Sequence, residues 1–272
     1  MFYKSSSSFL KKPITVMGQL YPGSEVPKDL DALARFKKDL GFDAEHWLSS
    51  ETLMSSNIGG DNGTFLFKTN SGCIEDRLTN YSKAAIRQDL KVIVYVNVHW
   101  FNPEFGEEYF LRDSAGNLIS GYGSGALVCP AGPFLEWSVQ VARDLGRYPV
   151  SGMFLDGPMS SLCYCDSCRK KFQEKYGQPI PPDLNTATVE ERRWVSDFFR
   201  DCFVKYLKMV KAAFNENNPD GVVYHNGESF GSAGAYNLAA ISVLDLLSAE
   251  GGFLGYSPLK PQFRFYTSAT AK

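Results

Sequence analysis

Short apolar runs alternate with longer amphipathic stretches along most of the chain. The clearest run, at residues 92–98, is apolar and β-branched on both faces, as expected for a strand that is buried on both sides. Strands that alternate with helices in this way are typical of parallel βαβ units. We predict six strands, at residues 14–20, 42–47, 92–98, 150–155, 222–224 and 243–248.

The stretches between these runs carry apolar residues at helical spacing. In the first of them Leu30, Leu33 and Phe36 recur every three residues, and Gly41 supplies a stop signal after the last turn. Residues 101–130 and 253–272 lack such a pattern and are predicted to be loops. We predict helices at residues 28–40, 74–90, 134–145 and 189–215.

Six strands with intervening helices predict an α/β fold, a (β/α)8 TIM barrel that is truncated after about six strands. A six-stranded open sheet is the alternative. The barrel is favoured because the connections that follow the strands are long, which is where barrel enzymes build their sites. The chain also stops without a capping element, and it contains neither an internal repeat nor a linker. We therefore expect residues 1–272 to form a single barrel domain whose C-terminal strands are missing.

Composition narrows the classes of partner. The net charge of −2 gives no electrostatic reason to expect nucleic acid or an anionic membrane as a partner. No apolar window approaches the length of a transmembrane helix, and residues 1–12 lack the apolar stretch of a signal peptide. We therefore expect a cytoplasmic protein whose six cysteines are thiols or metal ligands rather than disulfides. The 14 Tyr, 20 Phe and 4 Trp exceed the needs of a core, and sugar-binding clefts use such rings as stacking platforms.

All three histidines fall at the C-terminal ends of predicted strands, and two of them are followed directly by a tryptophan. In a parallel barrel those ends converge on one mouth, so the side chains are expected to line a common rim. A structural role is the alternative for each histidine taken alone. The predicted substrate-binding residues are His46, Trp47, His99, Trp100, His225 and Asn226.

Carboxylates fall at the same places. Asp156 ends the fourth predicted strand, Glu228 follows the fifth, and Glu250 closes the sixth. Cleavage of a glycosidic bond uses two carboxyl groups, one as nucleophile or base and one as acid. Capping or loop roles are the alternative for all three. Glu45 and Asp245 lie inside predicted strands and are expected to be salt-bridge or loop partners.

Three cysteines form a C-x-C-x-x-C run, Cys163, Cys165 and Cys168, and Cys129 lies upstream. Together they could form a four-thiolate zinc site, which would be closed to water and therefore structural. Buried free thiols are the alternative. No open constellation of histidines and carboxylates suggests a catalytic metal.

The sequence around this run resembles known families. The elements Gly-Met-Phe-Leu-Asp-Gly-Pro, the cysteine run and Lys-Tyr-Gly, within residues 152–177, resemble uncharacterised barrel glycosidases found beside β-galactosidase trimerisation domains. The cysteine run is similar to that of family 42 β-galactosidases, where it binds zinc with an upstream cysteine. Phe-Leu-Asp-Gly is similar to family 29 α-L-fucosidases, where that aspartate is the nucleophile. The resemblance implies zinc bound by the four cysteines, self-association of the full-length protein, and Asp156 as the nucleophile.

The same resemblance implies sugar contacts for His46, Trp47, His99 and Trp100. The chain departs from family 42 where those enzymes carry an Asn-Glu pair, since Gly157 and Pro158 stand there instead. The acid/base is therefore expected elsewhere, and Glu250 is preferred to Glu228 because it ends a predicted buried strand. The sequence thus predicts a retaining glycosidase acting on a terminal sugar. A catalytically inactive carbohydrate-binding barrel and a zinc-dependent hydrolase are the alternatives.

Overall fold

The structure is a computed structural model. It describes residues 16–17, 29–47, 77–121, 125–157, 161–226, 239–240 and 242–248. Within these residues the chain alternates strands and helices, as predicted. The strands are β1 (Val16–Met17), β2 (Ala44–Trp47), β3 (Lys91–Asn97), β4 (Trp100–Phe101), β5 (Ala126–Leu127), β6 (Gly152–Asp156), β7 (Val222–Asn226) and β8 (Leu246–Ser248).

Six of these strands form one parallel sheet in the order β1-β2-β3-β6-β7-β8. These are the six predicted strands, although most are shorter than their predicted ranges. Each strand lies beside the next one along the chain, without the reversal of strand order that defines a doubly wound sheet. Sequential winding of parallel strands is the arrangement of a (β/α) barrel. The sheet is therefore consistent with part of such a barrel rather than with the open-sheet alternative.

Five α-helices accompany the sheet within the described ranges. Two of them, α3 and α5, have the predicted bounds. Thr188 caps the N-terminus of α5. Its hydroxyl accepts a hydrogen bond from the Glu191 amide at 3.2 Å, and the Glu191 carboxylate accepts one from the Thr188 amide at 2.7 Å. Helix α4 was not predicted, because it is short and strongly charged and follows the cysteine run. The helices are α1 (Leu30–Asp39), α2 (Arg77–Arg87), α3 (Phe134–Leu145), α4 (Asp166–Tyr176) and α5 (Val189–Asn215).

The two faces of the sheet belong to different cores. Val94 of β3 and Leu155 of β6 are buried in the main core together with Phe203 of α5, so this face is covered by helices. Alternate residues of the same strands, such as Ile93 and Phe154, form a separate cluster on the other face. Because side chains alternate along a strand, Tyr95, Asp156 and Asn226 also belong to this inner face. The remaining members of the inner cluster are Ala44, Val222 and Tyr224.

Two carboxylates on the helix-covered face form ion pairs. The ammonium group of Lys37 donates to the Glu45 carboxylate, and both side chains are buried. Lys211 Nζ lies 2.7 Å from Asp245 Oδ1, and the second oxygen of Asp245 accepts a hydrogen bond from the Val223 amide at 2.8 Å. The prediction that Glu45 and Asp245 are salt-bridge partners is confirmed.

The connection between β3 and α3 is more ordered than predicted. Strands β4 and β5 pair in an antiparallel manner, and isolated bridges join Phe110 to Val128 and Arg112 to Leu118. Two 3-10 turns, Pro103–Phe105 and Glu107–Tyr109, lie between the strands. The prediction of a plain loop at residues 101–130 was wrong, because strands of two residues are too short to produce a detectable alternation. We call residues 98–129 the β-hairpin insert.

Candidate functional site

Asp156 is the last residue of β6 and lies on the inner face of the sheet. Its Cα is paired in register with Asn97, the last residue of β3, and its carbonyl oxygen accepts a hydrogen bond from the Val98 amide at 3.1 Å. The C-terminal ends of β3 and β6 therefore lie side by side. The side chain is partly exposed at this edge. Such an edge is where parallel α/β folds place their ligands.

The two oxygens of the Asp156 carboxylate are bound by different strands. The hydroxyl of Tyr95, from β3, donates to Oδ2. The side-chain amide of Asn226, from β7, donates to Oδ1 at 2.7 Å. The Tyr95 ring packs beside Phe154, with the ring centroids 5.8 Å apart. The carboxylate is thus held from both sides, by β3 and β7, the two strands that flank β6.

Tyr95 was not predicted to be a site residue. The pattern that could have indicated it is a single tyrosine within the valine and isoleucine run of β3. Asn226 was predicted to contact substrate, and the structure brings it to Asp156. Its Oδ1 accepts a hydrogen bond from the Gly157 amide at 2.7 Å. Because an amide N–H can only donate, this contact fixes which end of the Asn226 side chain faces Asp156.

Gly157 turns the chain sharply after Asp156. Its φ is +62°, in the left-handed region that favours glycine. A Cβ at this position would come within 2.7 Å of Nδ1 of His99. The imidazole therefore lies directly against the backbone that follows Asp156, and the structure brings His99 to the candidate site as the sequence suggested.

A buried asparagine shapes the turn that carries His99 and Trp100. Asn97 Oδ1 accepts a hydrogen bond from the His99 amide at 3.0 Å, and Asn97 Nδ2 donates to the Trp100 carbonyl at 2.8 Å. Trp100 begins β4 and lies against Gly121, where a Cβ would come within 2.7 Å of the Trp100 Cβ. The β-hairpin insert is therefore packed onto the turn beside Asp156.

Two predicted rim residues are placed by their backbone. His46 and Trp47 are the last two residues of β2 and pair in register with Ile93 and Val94 of β3. Those two residues pair in turn with Gly152 and Met153, which lie three to four residues before Asp156 in β6. The predicted acid/base residues, Glu250 and Glu228, lie outside the described residues, as do Pro158 and Cys73.

His225 requires a correction. It lies near the end of β7, as predicted, but its side chain is 2% exposed and packs edge-on against Phe203 of α5. It therefore faces the helices, whereas its neighbour Asn226 faces the inner side, because successive side chains of a strand point to opposite faces. Burial lowers the pKa of His225 to about 4 even though its Nδ1 contacts the Asn226 carbonyl at 2.6 Å. The side chain does not reach the rim.

The four predicted metal-ligating cysteines form one buried cluster. The sulfur atoms of Cys129, Cys163, Cys165 and Cys168 all lie within 4.8 Å of one another. Cys129 and Cys168 are separated by 3.5 Å, and Cys165 and Cys129 by 3.8 Å. Four sulfurs at about 2.3 Å from a tetrahedral zinc ion lie about 3.8 Å apart. The cluster could therefore hold a metal ion with little rearrangement.

The four thiols of the cluster perturb one another's pKa values. Contacts with the other cysteines lower the pKa of Cys165, and contacts within the same cluster raise the pKa values of Cys129 and Cys168. A thiolate is the form that binds metals. Cys202 lies outside the cluster, and burial raises the pKa of its thiol to about 11.

The cysteine cluster joins the two connections that flank Asp156. Cys129 ends the β-hairpin insert, Cys163 and Cys165 lie in the connection after β6, and Cys168 lies in the first turn of α4. A backbone hydrogen bond of 2.8 Å from the Tyr164 amide to the Arg112 carbonyl links the same two segments. The position of the β-hairpin insert relative to Asp156 therefore depends on this cluster.

No protein-family model and no curated protein matches the chain. None of the helices in the described part of the chain is long and apolar enough to cross a membrane.

Solved structures share the fold at low sequence identity. A β-galactosidase from the psychrophilic Marinomonas ef1 matches with a TM-score of 0.67 and 17% identity, over 95% of this chain and 47% of that one. The glycoside hydrolase domain of PgaB (BpsB) from Bordetella bronchiseptica matches with a TM-score of 0.65 and 16% identity, over 95% of this chain and 80% of that one. Alpha-L-fucosidase isoenzyme 2 from Paenibacillus thiaminolyticus matches with a TM-score of 0.59 and 17% identity, over 83% of this chain and 34% of that one.

The chain thus spans less than half of the galactosidase and about a third of the fucosidase. These similarities show the fold, and they agree with the sequential winding of the parallel sheet. The chain folds like the barrel domains of glycoside hydrolases.

Proposed function

We propose that the protein is a glycoside hydrolase that acts on a terminal sugar, with Asp156 as its nucleophile. The observation that carries this proposal is the position of Asp156, which is partly exposed at the C-terminal end of β6 and held through both of its oxygens. A nucleophile must be fixed in orientation to attack a sugar carbon in line with the departing oxygen. The shared fold of glycoside hydrolases supports the same reaction class.

The reaction also needs an acid/base. Glu250 follows the last residue of β8 by two positions, and Glu228 follows the last residue of β7 by the same number. Both strands end on the same side of the sheet as β6, because all of them are parallel. We assign the acid/base to Glu250, with Glu228 as the second candidate. A retaining mechanism requires a separation of about 5 Å between the two carboxyl groups, whereas inversion requires roughly 7 Å or more.

In the retaining mechanism an Asp156 oxygen forms a bond to the anomeric carbon while the bond to the leaving oxygen breaks, and the acid/base donates its proton to that oxygen. Water then attacks the same carbon, its proton passes to the acid/base, and the aspartate leaves as a carboxylate. His99 lies beside this centre, and we propose that it contacts the sugar together with His46 and Trp100.

We further propose that the cysteine cluster binds one zinc ion. Zinc would serve here as a structural cross-link, since four thiolates leave no open position for water. The ion would tie the β-hairpin insert to the connection after β6. That arrangement does not favour the zinc-dependent hydrolase alternative.

Hydrolysis of a panel of aryl glycosides that includes fucosides, galactosides and arabinosides tests the proposal. One substrate should be turned over, and Asp156→Asn should lower kcat/KM by about three orders of magnitude or more. Asp39→Asn, an exposed aspartate at the end of α1, serves as the matched control and should retain full activity. Unchanged turnover in Asp156→Asn would discard Asp156 as nucleophile. Binding of sugars without turnover would favour the inactive carbohydrate-binding barrel.

A further inference from the structure

The Asp156 carboxylate is held by two donors that carry no charge. Tyr95 donates to Oδ2 and Asn226 donates to Oδ1, from residues that are 61 and 70 positions away in the sequence. Neutral donors orient a carboxylate and stabilise its charge without cancelling it. An arginine or lysine in either place would instead leave a neutral pair.

The Asn226 side chain is itself fixed. It is 8% exposed and accepts the Gly157 amide hydrogen bond through Oδ1, so its amide nitrogen is directed at Asp156. Asn226 of β7 therefore binds both Asp156 and Gly157. Tyr95 reaches Asp156 from two residues before the end of β3, where its ring packs against Phe154.

We propose that Tyr95 and Asn226 are positioning residues that set the orientation of the Asp156 carboxylate, rather than residues that bind the sugar. This inference rests on the proposed function of Asp156. The donors hold the carboxylate plane before attack and stabilise the carboxylate again when it departs from the sugar carbon. Their contribution therefore appears in the chemical steps and not in the binding of substrate.

The kinetic test uses Tyr95→Phe and Asn226→Ala with the aryl glycoside that the wild-type chain hydrolyses. Each variant should lower kcat by about 10- to 100-fold and change KM by less than about threefold, because an interaction that matters mainly in the transition state affects kcat. Tyr206→Phe is the matched control, since it also removes a buried hydroxyl, one that contacts Ser138 at 3.1 Å under α5. A rise in KM at constant kcat would overturn the positioning role and assign the residue to sugar binding.

A second measurement does not require turnover. In a chain labelled with carbon-13 at the aspartate carboxyl carbons, the Asp156 resonance is identified by its loss in Asp156→Asn. Because each donor contacts a carboxylate oxygen directly, its removal in Tyr95→Phe or Asn226→Ala should displace that resonance in spectra recorded at one fixed pH. Tyr206→Phe should leave the resonance in place, because that hydroxyl contacts Ser138 instead.

The two measurements separate the two proposals. If the wild-type chain shows no turnover but the Asp156 resonance is displaced in Tyr95→Phe and Asn226→Ala, the proposed function is refuted and the two contacts to Asp156 are established. If turnover depends on Asp156 but kcat and the resonance are unchanged in both variants, the inference alone is overturned. A displaced resonance with unchanged kcat would also overturn it, because the contacts would then not matter for the reaction.

Discussion

Gly157 approaches His99 so closely that a Cβ on the glycine would lie 2.7 Å from Nδ1 of the imidazole. Any side chain at this position would displace His99 and would also be strained, because the φ of +62° favours glycine. The main chain after Asp156 and the histidine beside it are therefore packed as one unit. Changes at Gly157 should affect both the stability of the protein and the candidate site.

We expect Gly157→Ala to lower the free energy of unfolding by more than Gly177→Ala does. Gly177 is also left-handed, with a φ of +71°, but nothing lies within 4 Å of a Cβ there. Gly177→Ala should therefore cost only the backbone strain, about 1–2 kcal/mol. The displacement of His99 should add about 1–3 kcal/mol for Gly157→Ala. Urea denaturation measures both, and equal losses would show that the His99 contact costs nothing.

Replacing both members of the buried pair Lys37 and Glu45 should preserve the stability of the protein, whereas replacing either one alone should lower it. Burial raises the pKa of Glu45 to about 7 and lowers that of Lys37, so desolvation outweighs the mutual attraction of the two charges. Lys37→Met or Glu45→Leu alone should cost about 3–5 kcal/mol, because one charge remains buried without its partner. The double variant should be near neutral or more stable than the wild type by up to about 4 kcal/mol.

The exposed pair of Arg87 and Asp31 is the matched control for this cycle. Its Nη2 and Oδ2 atoms are 2.6 Å apart, but the side chains are 55% and 40% exposed. Single changes in this pair should have small effects, because water screens exposed charges. A double variant of Lys37 and Glu45 as unstable as the worse single variant would show that the ion pair itself stabilises the fold.

His225 should make the stability of the protein depend on pH. Its pKa in the folded state is about 4, against 6.5 in the unfolded chain, because burial disfavours the charged ring. The unfolded state therefore binds an additional proton between these values, so stability is lost as the pH falls from about 6.5 towards 4. The loss should reach roughly 3 kcal/mol. This loss should be absent in His225→Leu, so the difference in stability between wild type and variant should change as the pH falls, and parallel curves for the two proteins would refute the assignment.

Metal content should depend on Cys129 as strongly as on the C-x-C-x-x-C run. Wild-type protein should contain one zinc ion per chain, and Cys129→Ser should lower this content because one of the four ligands is lost. Cys202→Ser is the matched control and should retain the ion, since Cys202 lies outside the cluster. Elemental analysis measures both variants.

A chelator provides the second readout of the metal prediction. Removal of the ion should lower the Tm of the wild type and of Cys202→Ser, because metal binding at a structural site contributes to folding stability. Cys129→Ser should start from a lower Tm and respond less to the chelator. Full zinc content in Cys129→Ser would remove Cys129 from the ligand set.

Several features of the structure could be predicted because they depend on nearby residues. The apolar runs located all six strands of the main sheet, and helical periodicity located α3 and α5 with their observed bounds. The close spacing of Cys163, Cys165 and Cys168 indicated a cluster, and only Cys129 had to be added from a distance. Glu45 and Asp245 could be set aside because charged residues inside buried strands need a partner.

Other features could not be predicted, because they depend on which side of the sheet each residue faces. His225 and Asn226 are neighbours in the sequence, yet one packs against Phe203 and the other against Asp156. The period of two along a strand shows that they differ, but only the position of the helices decides which of them faces inward. The β-hairpin insert escaped prediction because its pairings join two-residue strands across a long connection.

The sequence by itself determined the order of the six strands of the main sheet and of α1, α2, α3 and α5, the parallel α/β class, the C-x-C-x-x-C part of the cysteine cluster and the position of Asp156 at a strand end. Each of these follows from the periodicity or spacing of residues close together in the chain. Only the tertiary structure decided that Tyr95 and Asn226 hold Asp156 and that His99 lies against Gly157. Those contacts join strands more than 50 residues apart, and they exist because parallel neighbours bring their C-terminal ends to one edge.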